Sequence, residues 1–404
     1  MINGKDKTIE KVNFLLLTFA YSLTLIMPND TAGSVIMLIC FLFVWLFNKR
    51  QLGKAPLVFD SYIKLTIIFV GMCFLSLIWS IDKELSLAQC RSVLQTVIMF
   101  WILYSAMVKD CDVNILLRAI MWGSYIACIY AFCYFGVDYL MALGAEGERM
   151  DSTYVNSNVI GMSASLSIII SLYFQLYQKK SLSILINIIP FILLTASGSR
   201  KALVSLILGG SLLFISKNKT KNKFVFILRM CVVIVLLFFV VKAMLSLPMF
   251  NTLNTRMEGM VDAFLGEAEA DRSSLIRAEL RNIGFMQFLS TPFTGVGIDC
   301  PRYLAIRFTG DNYYLHCNYA ELLAGIGLFG CLSFYVVYIY GIRNLWKKRY
   351  LKDSLSYVVS TMILIQLITD YGCVSYYERN TYFLIVAMLL QVKRLNVLST
   401  NYNK

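Results

Sequence analysis

About twelve apolar stretches, each roughly 16–24 residues long, follow one another along this chain, and that is the length an α-helix needs to cross a bilayer. They cover residues 12–28, 32–48, 62–80, 89–108, 115–135, 157–177, 181–197, 200–216, 224–247, 318–341, 354–371 and 380–396. Hydrophobic residues make up 58% of the 404 and charged residues only 15%, and mean hydropathy is +0.67. A soluble core cannot hide that much apolar surface, whereas a bilayer can. Only 6 prolines interrupt the chain, so helices can run long. A soluble enzyme, a disordered protein and a secreted disulfide module are excluded. The expectation is an all-α, polytopic integral membrane protein of about 12 transmembrane helices, forming a single multi-spanning domain over residues 1–404. The 11 cysteines sit mostly inside apolar runs without metal-ligand spacing and read as small buried residues. The first run is flanked by Lys5, Lys7 and Lys11. It lacks a small-residue cleavage site and is expected to be retained as a membrane helix.

The net charge of +13 would suggest nucleic acid on a soluble chain. Here Lys and Arg segregate by loop. With the N-terminus inside, the even-numbered connections carry Lys49, Arg50, Lys54, Lys109, Lys179, Lys180, the lysines of 217–223, and Arg343 to Lys352. The short odd-numbered ones carry Lys83, Arg149, Arg200, Lys201 and Arg379. By the positive-inside rule both termini are expected in the cytoplasm, and no nucleic-acid partner is implied.

One connection is long. Residues 248–315 fall between the ninth and tenth spans, on the outer face, and a loop of this length is usually functional or disordered. It contains an amphipathic helical pattern from Ser273 to Leu289 with Ile276, Leu280 and Ile283 on one face. Arg277 and Arg281 share another face. Ser273 is the expected N-cap and Pro292 the expected stop. A second outer loop, 136–156, is mixed and acidic. There is no internal repeat of the kind that a 6+6 transporter shows.

Three places carry chemistry-bearing residues. In Ser197-Gly198-Ser199-Arg200-Lys201-Ala202, Gly198 permits a tight turn and Ser199 is placed to cap the next helix. Arg200 and Lys201 then oppose that helix's dipole. An anion bound there would relieve the opposition, since a helix start with an Arg fork suits phosphate; a snorkelling Arg at headgroup level is the plainer reading. Arg277 and Arg281 either form a solvated face with Glu279 or Glu269, or direct a cationic pair at a membrane-anchored anion. Arg256 and Arg302 lie on the same loop outside any motif and are expected to tolerate alanine. His316 is the only histidine. It stands just before span ten, where Asn318 and Glu321 have capping-box spacing. A neutral imidazole there suits a general base, although a lone His is commonly structural. No outward cluster of Cys, His and Asp suggests a metal, and no cofactor motif is present. Asp110-Cys111-Asp112 lies in a cytoplasmic connection too short for a nucleotide site. Gly295-Val296-Gly297 reads as a turn whose backbone N–H groups suit close approach to a ligand.

In this order, three of these pieces resemble the O-antigen polymerase and O-antigen ligase superfamily of bacterial envelope polysaccharide assembly. The family has a small-residue turn and Ser-Arg opening a membrane helix, as in Ala196 to Ala202 here. It then has an outer-loop Arg about fifteen residues before a P-x-x-G-x-G turn, matched by Arg277 and Pro292-Phe-Thr-Gly295-Val-Gly297. Last comes a His leading into N-x-x-x-E/Q-x-x-x-x-x-G-x-x-G, matched by His316, Asn318, Glu321, Gly325, Gly327 and Gly330 only loosely in spacing. Asn156-Ser157-Asn158 is similar to the family's Asn-rich start of span six. Two positions depart from the pattern: Cys317 separates His316 from Asn318, and Lys201 replaces a small residue.

The resemblance implies a class-C-type, metal-independent glycosyltransferase in the bacterial cytoplasmic (inner) membrane, with its site facing outward. Donor and acceptor would both be undecaprenyl-diphosphate-linked oligosaccharides, within membrane lipid, alongside a chain-length regulator and a flippase. It implies Arg200 and Arg277 on the diphosphate, and Arg281 and Lys201 as secondary contacts. His316 would be base or acceptor-positioning group, with Asn318 and Glu321 as substrate-side residues. The implied activity is polymerisation of O-antigen or capsule repeat units. The alternatives are the ligase that moves the polymer to lipid A-core, a lipid-linked oligosaccharide flippase or other transporter, and a non-catalytic assembly protein. A flippase is expected to carry charges deep within several spans, whereas Lys64, Arg91, Arg118, Arg229 and Lys242 lie near the ends of the apolar runs.

Overall fold

A computed structural model describes residues 7–27, 30–52, 57–146, 156–179, 184–217, 272–310, 312–347 and 353–402, with scattered positions between 224 and 258. Every regular element among the described residues is helical. The long helices are α1 (Lys7–Ile26), α2 (Thr31–Leu52), α3 (Ser61–Leu75), α4 (Lys83–Met107) and α5 (Val113–Phe135). A short α6 (Val137–Glu146) precedes α7 (Ser157–Gln178), α8 (Ile188–Ala196) and α9 (Arg200–Lys217). Then come α10 (Arg272–Ser290), α11 (Pro301–Thr309), α12 (Asn318–Leu345), α13 (Ser354–Thr369) and α14 (Arg379–Tyr402).

Among the described residues, eight helices are long and apolar enough to cross a membrane, and Leu185–Ala196 and Ser354–Thr369 are shorter apolar helices. The chain is therefore an all-α, multi-pass membrane protein. Most of the expected ninth span at 224–247, most of 248–271 and the stretch 147–155 lie outside the described residues.

Local chemistry accounts for where the boundaries depart from the apolar runs. The helix expected from residue 89 starts at Lys83, because the Asp82 side chain accepts from the Leu85 N–H at 3.0 Å and caps it. The long outer loop is partly helical, holding both α10 and α11. Its amphipathic helix begins at Arg272, so Ser273 lies inside the first turn and is not its cap. The expected apolar face shifts as well. Leu280 is fully buried, and a Cβ on Gly284 would lie 2.5 Å from Leu315 and 3.0 Å from Ala320. The buried stripe is thus 276–280–284, while Ile283 lines an open groove with Glu279, Met286, Leu304 and Phe308.

Two compact units emerge: residues 1–40, 114–271 and 353–365, and residues 41–113, 272–352 and 366–404. In the first, α7 packs on α8 and α9, and Gly209 admits the side chains of Ile169 and Ile365. In the second, Phe41, Phe100 and Phe383 meet edge to face at centroid distances of 4.9–5.8 Å. Asp60 caps α3 and pairs with Lys393 at 2.8 Å.

The second unit also contains a broken helix. α12 loses helical geometry at Gly327, where φ is 69° and ψ −174°. The turn from Pro292 to Gly297 fits into that break. Val296 N–H donates to Ala324 C=O at 2.9 Å, Gly297 N–H to Gly325 C=O at 2.8 Å, and Leu328 N–H to Pro292 C=O at 2.8 Å. Of the backbone donors expected to approach a ligand, the Val296 and Gly297 N–H groups are therefore given to α12 and that of Gly295 to Thr291 C=O at 3.0 Å. A Cβ on Gly295 would lie 2.5 Å from the Ala324 and Gly325 carbonyl oxygens, and one on Gly327 2.5 Å from Phe293.

Gly327 occupies a backbone region that is essentially reserved for glycine, so Gly327→Ala should destabilise the protein by at least about 1–3 kcal/mol. Gly71→Ala, where a Cβ meets nothing within 4 Å, should leave the melting temperature in detergent unchanged or slightly raised. Equal melting temperatures for the two variants would show that the break is not strained.

Candidate active site

The Ser-Arg motif sits in the first unit. Asn156 caps α7, its side chain accepting from the N–H groups of Asn158 and Val159 at 3.0 and 3.3 Å. One turn on, Gly161 leaves room for the turn between α8 and α9, with Ser199 Cβ 3.0 Å from where a Cβ would be. That turn is made by Gly198 at φ +56° and by Ser197, whose hydroxyl accepts from the Ser199 N–H at 3.2 Å. The starts of α7 and α9 therefore lie side by side. Ser199 occupies the N-cap position by its backbone, since its C=O accepts from Leu203 N–H at 3.2 Å. Its hydroxyl does not cap: it is buried without a hydrogen-bond partner. Arg200 opens α9 and is buried, and Lys201 beside it is half-buried.

The other candidates fall in the second unit. Leu280 of α10 packs with Leu315, Cys317, Ala320 and Ala324, so α10 lies along the start of α12 and the segment leading into it. Arg277 follows Ile276 on this helix. Arg281, one turn further, lies over the Tyr371 ring at 4.7 Å, a cation–π contact. That contact replaces the pairing with Glu279 that the sequence suggested; Glu269 lies outside the described residues.

His316 adopts φ +53°, a left-handed conformation uncommon for residues other than glycine. It is half-buried between fully buried Leu315 and Cys317, with its ring 4.2 Å from Tyr314 and 6.2 Å from Tyr313. Two bonds fix this bend. The Glu321 carboxylate accepts from Leu315 N–H at 2.8 Å, and Asn318 N–H donates to Asp370 C=O at 2.7 Å.

The capping box is thus half right. Glu321 does reach back beyond the helix start. Asn318, however, is the first helical residue, and Cys317 is the N-cap without a side-chain cap bond. The Asn318 side chain acts at longer range. Its Oδ1 accepts from the N–H groups of Ser375 and Tyr376 at 2.9 and 3.1 Å. Its Nδ2 donates to Tyr335 at 2.8 Å. Tyr335 in turn donates to the Asp370 carboxylate at 2.8 Å, and Gln366 and Ser375 donate to it at 2.7 Å each. The connection between α13 and α14 is thereby bound to the start of α12.

The sequence reading missed Asp370, Ser375, Tyr376 and Glu378 in that connection. The available signal was an Asp closing an otherwise apolar run, an arrangement that calls for a named partner. Burial pushes the Glu378 carboxyl up to about 7, against the pull of adjacent Arg379. Partial burial likewise raises the Tyr314 hydroxyl, with Cys373 adding to it, Arg277 opposing, and Glu378 and Glu321 adding further.

Arg302 is not a neutral loop cation. Its guanidinium holds the Asp299 carboxylate with two bonds of 2.6 Å and donates to the Asp299 C=O at 3.1 Å. Asp299 is buried, and burial raises its carboxyl while Arg302 opposes that rise. Arg302→Ala would strand a buried acid, which overturns its use as a tolerant control. Arg256 lies outside the described residues. Among the described residues, no three His, Cys, Asp or Glu side chains gather as a metal-holding group.

The described residues thus form a many-helix membrane protein with Arg200 at the start of α9 and a constrained His316 before α12. Residues 185–335 match a family model described as O-antigen ligase. That match takes in the Ser-Arg turn, Arg277, the glycine turn and the His316 segment. No curated protein matches the chain.

Asn318→Ala should leave two loop N–H groups and Tyr335 short of partners, at roughly 1–3 kcal/mol per buried group. The expected result is faster limited proteolysis within residues 370–378 and a lower melting temperature. Native-like protection of that connection would contradict the clamp.

Proposed function

We propose that this protein polymerises undecaprenyl-diphosphate-linked repeat units of O-antigen or capsule at the outer face of the bacterial cytoplasmic membrane, with both termini inside. The observation that carries this reading is the match over 185–335 to the O-antigen ligase family model, on a chain where Arg200 opens α9 and the single histidine stands just before α12. No nucleotide donor is available outside the membrane, so the leaving group must arrive already attached to the sugar. Arg200 and Arg277 hold the diphosphate, with Lys201 and Arg281 as secondary contacts. Planar guanidinium forks stabilise the departing charge in the role a divalent metal has elsewhere. His316 acts as base or positions the acceptor hydroxyl. Asn318 and Glu321 support it by holding the segment in place. A chain-length regulator and a flippase are the expected partners.

The family description itself favours a second reading, transfer of finished polymer to lipid A-core by a ligase. A gel of surface polysaccharide from a deletion strain separates the two. A single repeat unit on the lipid core is expected. Bare core with free lipid-linked polymer would establish the ligase instead.

Purified protein with lipid-linked substrate is expected to retain activity in excess EDTA; loss restored by added magnesium would refute the metal-free reading. In the same assay Arg200→Lys and Arg277→Lys should each lose roughly a hundred- to thousand-fold in rate, because lysine keeps the charge but loses the fork. His316→Ala should lose turnover while still binding donor. Exposed Arg307 is the matched control, and its alanine variant should remain active. Near-normal polymer from Arg200→Lys and His316→Ala at equal membrane levels would remove both residues from the site.

A further inference from the structure

Three exposed tyrosines, Tyr313, Tyr314 and Tyr371, stand around the start of α12, and the chemistry proposed so far gives none of them a role. The Tyr314 ring centroid lies 4.2 Å from that of His316, with the planes inclined by 48°, and Tyr313 lies at 6.2 Å and 46°. Despite those contacts Tyr314 stays 40% exposed and Tyr313 37%. On the connection between α13 and α14, Tyr371 is 56% exposed and carries Arg281 over its ring at 4.7 Å. Its neighbour Asp370 brings it there, because the Asp370 C=O accepts from Asn318 N–H at 2.7 Å, two residues past His316. The segment that carries Tyr313 and Tyr314 is anchored as well. Leu315 and Cys317, on either side of His316, are fully buried, and Leu315 N–H donates to the Glu321 carboxylate at 2.8 Å. Aromatic faces are thus held open beside His316 on backbone that is itself bonded in place.

Exposed aromatic rings of a membrane protein ordinarily meet the lipid interface, and the exposed large side chains further along α12 are Phe329, Leu332 and Ile339. The patch at the α12 start has a different composition: its exposed rings are all tyrosines, grouped with an imidazole and a guanidinium. A tyrosine offers a negative π face and a polar hydroxyl at one end. A pyranose is the complement, with positively polarised C–H bonds on its faces and hydroxyls around its edge. We propose that Tyr314 is the sugar-binding residue beside His316, its ring stacking against the terminal sugar of the acceptor, with Tyr313 extending the platform. The inference rests on the glycosyl-transfer reading above and deepens it by assigning where the acceptor sugar lies. A stacked sugar is held in one plane but can still turn within it, so an edge contact must choose the hydroxyl that faces the donor. His316, in contact with Tyr314, supplies that choice. The ring of Tyr314 sets the plane and His316 sets the hydroxyl. An axial group on the stacked face would lift the sugar off the ring, so Tyr314 also selects among acceptor sugars.

The test uses the purified full chain in detergent, with the repeat-unit oligosaccharide released from the source cells' surface polysaccharide as probe. Saturation-transfer NMR should show the C–H protons of its terminal sugar in contact with the native protein. Tyr314→Ala should weaken binding by about tenfold, the loss of one aromatic contact. Tyr314→Phe keeps the ring and should bind within about twofold of native. Tyr139→Ala is the control, an exposed ring on α6, and should bind as native does. In transfer from lipid-diphosphate-linked repeat units, Tyr314→Ala should raise KM by about tenfold and leave kcat within about threefold of native, a split that misfolding does not produce. If Tyr314→Ala binds the oligosaccharide within about twofold of native, the tyrosines are lipid-interface anchors and the inference is overturned. If Tyr314→Phe fails as Tyr314→Ala does, the hydroxyl and not the ring face makes the contact, which overturns it as well. Binding measured without transfer keeps the two readings apart. Oligosaccharide binding that Tyr314→Ala weakens, on a chain that transfers no sugar, sinks the glycosyl-transfer reading and leaves Tyr314 as the sugar-binding residue. Transfer by the native chain that is indifferent to Tyr314→Ala sinks the platform alone.

Discussion

A helix broken within a bilayer releases backbone groups that lipid cannot satisfy, and α12 is broken at Gly327. The break frees the carbonyls of Ala324 and Gly325 from their places in the helical ladder and leaves Leu328 N–H facing outward. The Pro292–Gly297 turn supplies the complement: two N–H groups and one C=O, each bonded within 2.9 Å. The close fit demands glycine on both sides, because a Cβ at Gly295 or Gly327 would meet backbone atoms at 2.5 Å. Two sequence motifs far apart in the chain are thus the two halves of one backbone joint.

What surrounds the joint follows from it. Once the turn is seated, Ile298 N–H reaches Ser76 Oγ at 3.2 Å and Ser86 Oγ reaches Ile298 C=O at 2.7 Å, so the segment is tied to the α3–α4 corner. Trp79 Nε1 donates to the Thr294 C=O, and Tyr303 donates to Asp82. The helix entering the turn, α10, is fixed along α12 through Leu280 and Gly284. Arg277 is thereby carried on a rigid element whose register depends on backbone bonds outside α10. His316 is held by the same logic at the other side of the α12 start. Its left-handed backbone costs energy, and the bonds from Leu315 N–H to Glu321 and from Asn318 N–H to Asp370 offset that cost. Strain held by surrounding bonds is a recurrent property of functional segments.

The fold class was legible because it depends on composition and on length of apolar run, both local properties of the sequence. The amphipathic helix carrying Arg277 and Arg281 was legible for the same reason, and its ends fell within a residue or two of the expected ones. The pairing partners were not legible. Arg281 stacks on Tyr371, ninety residues away, and Asn318 is bonded to Ser375 and Tyr376. Capping-box spacing gave Asn318 a local role, yet nothing local distinguishes it from a side chain that clamps a distant loop. Arg302 looked interchangeable because its partner, Asp299, is buried by a left-handed turn at φ +63° that no residue pattern announces. Asp370 and Glu378 were hidden for a different reason: an apolar run followed by a short connection reads as a span end.

The family match ends at residue 335, yet the geometry of its motif residues depends on side chains beyond both of its ends. Ser76, Trp79, Ser80 and Asp82 come before it, and Gln366, Asp370, Ser375 and Tyr376 come after it. Its residues also divide between the two compact units, with 185–271 in one and 272–335 in the other. A segment of that kind does not fix its own geometry. In the proposed function, the arginines and histidine stabilise charge in a glycosyl transfer from a diphosphate. The flanking helices set how precisely those groups are held, through hydrogen bonds that each fail separately when one partner is removed. Activity in such a chain is therefore exposed to substitutions in residues such as Asp370 and Ser76, which no motif marks and which meet the candidate site only through the backbone they hold.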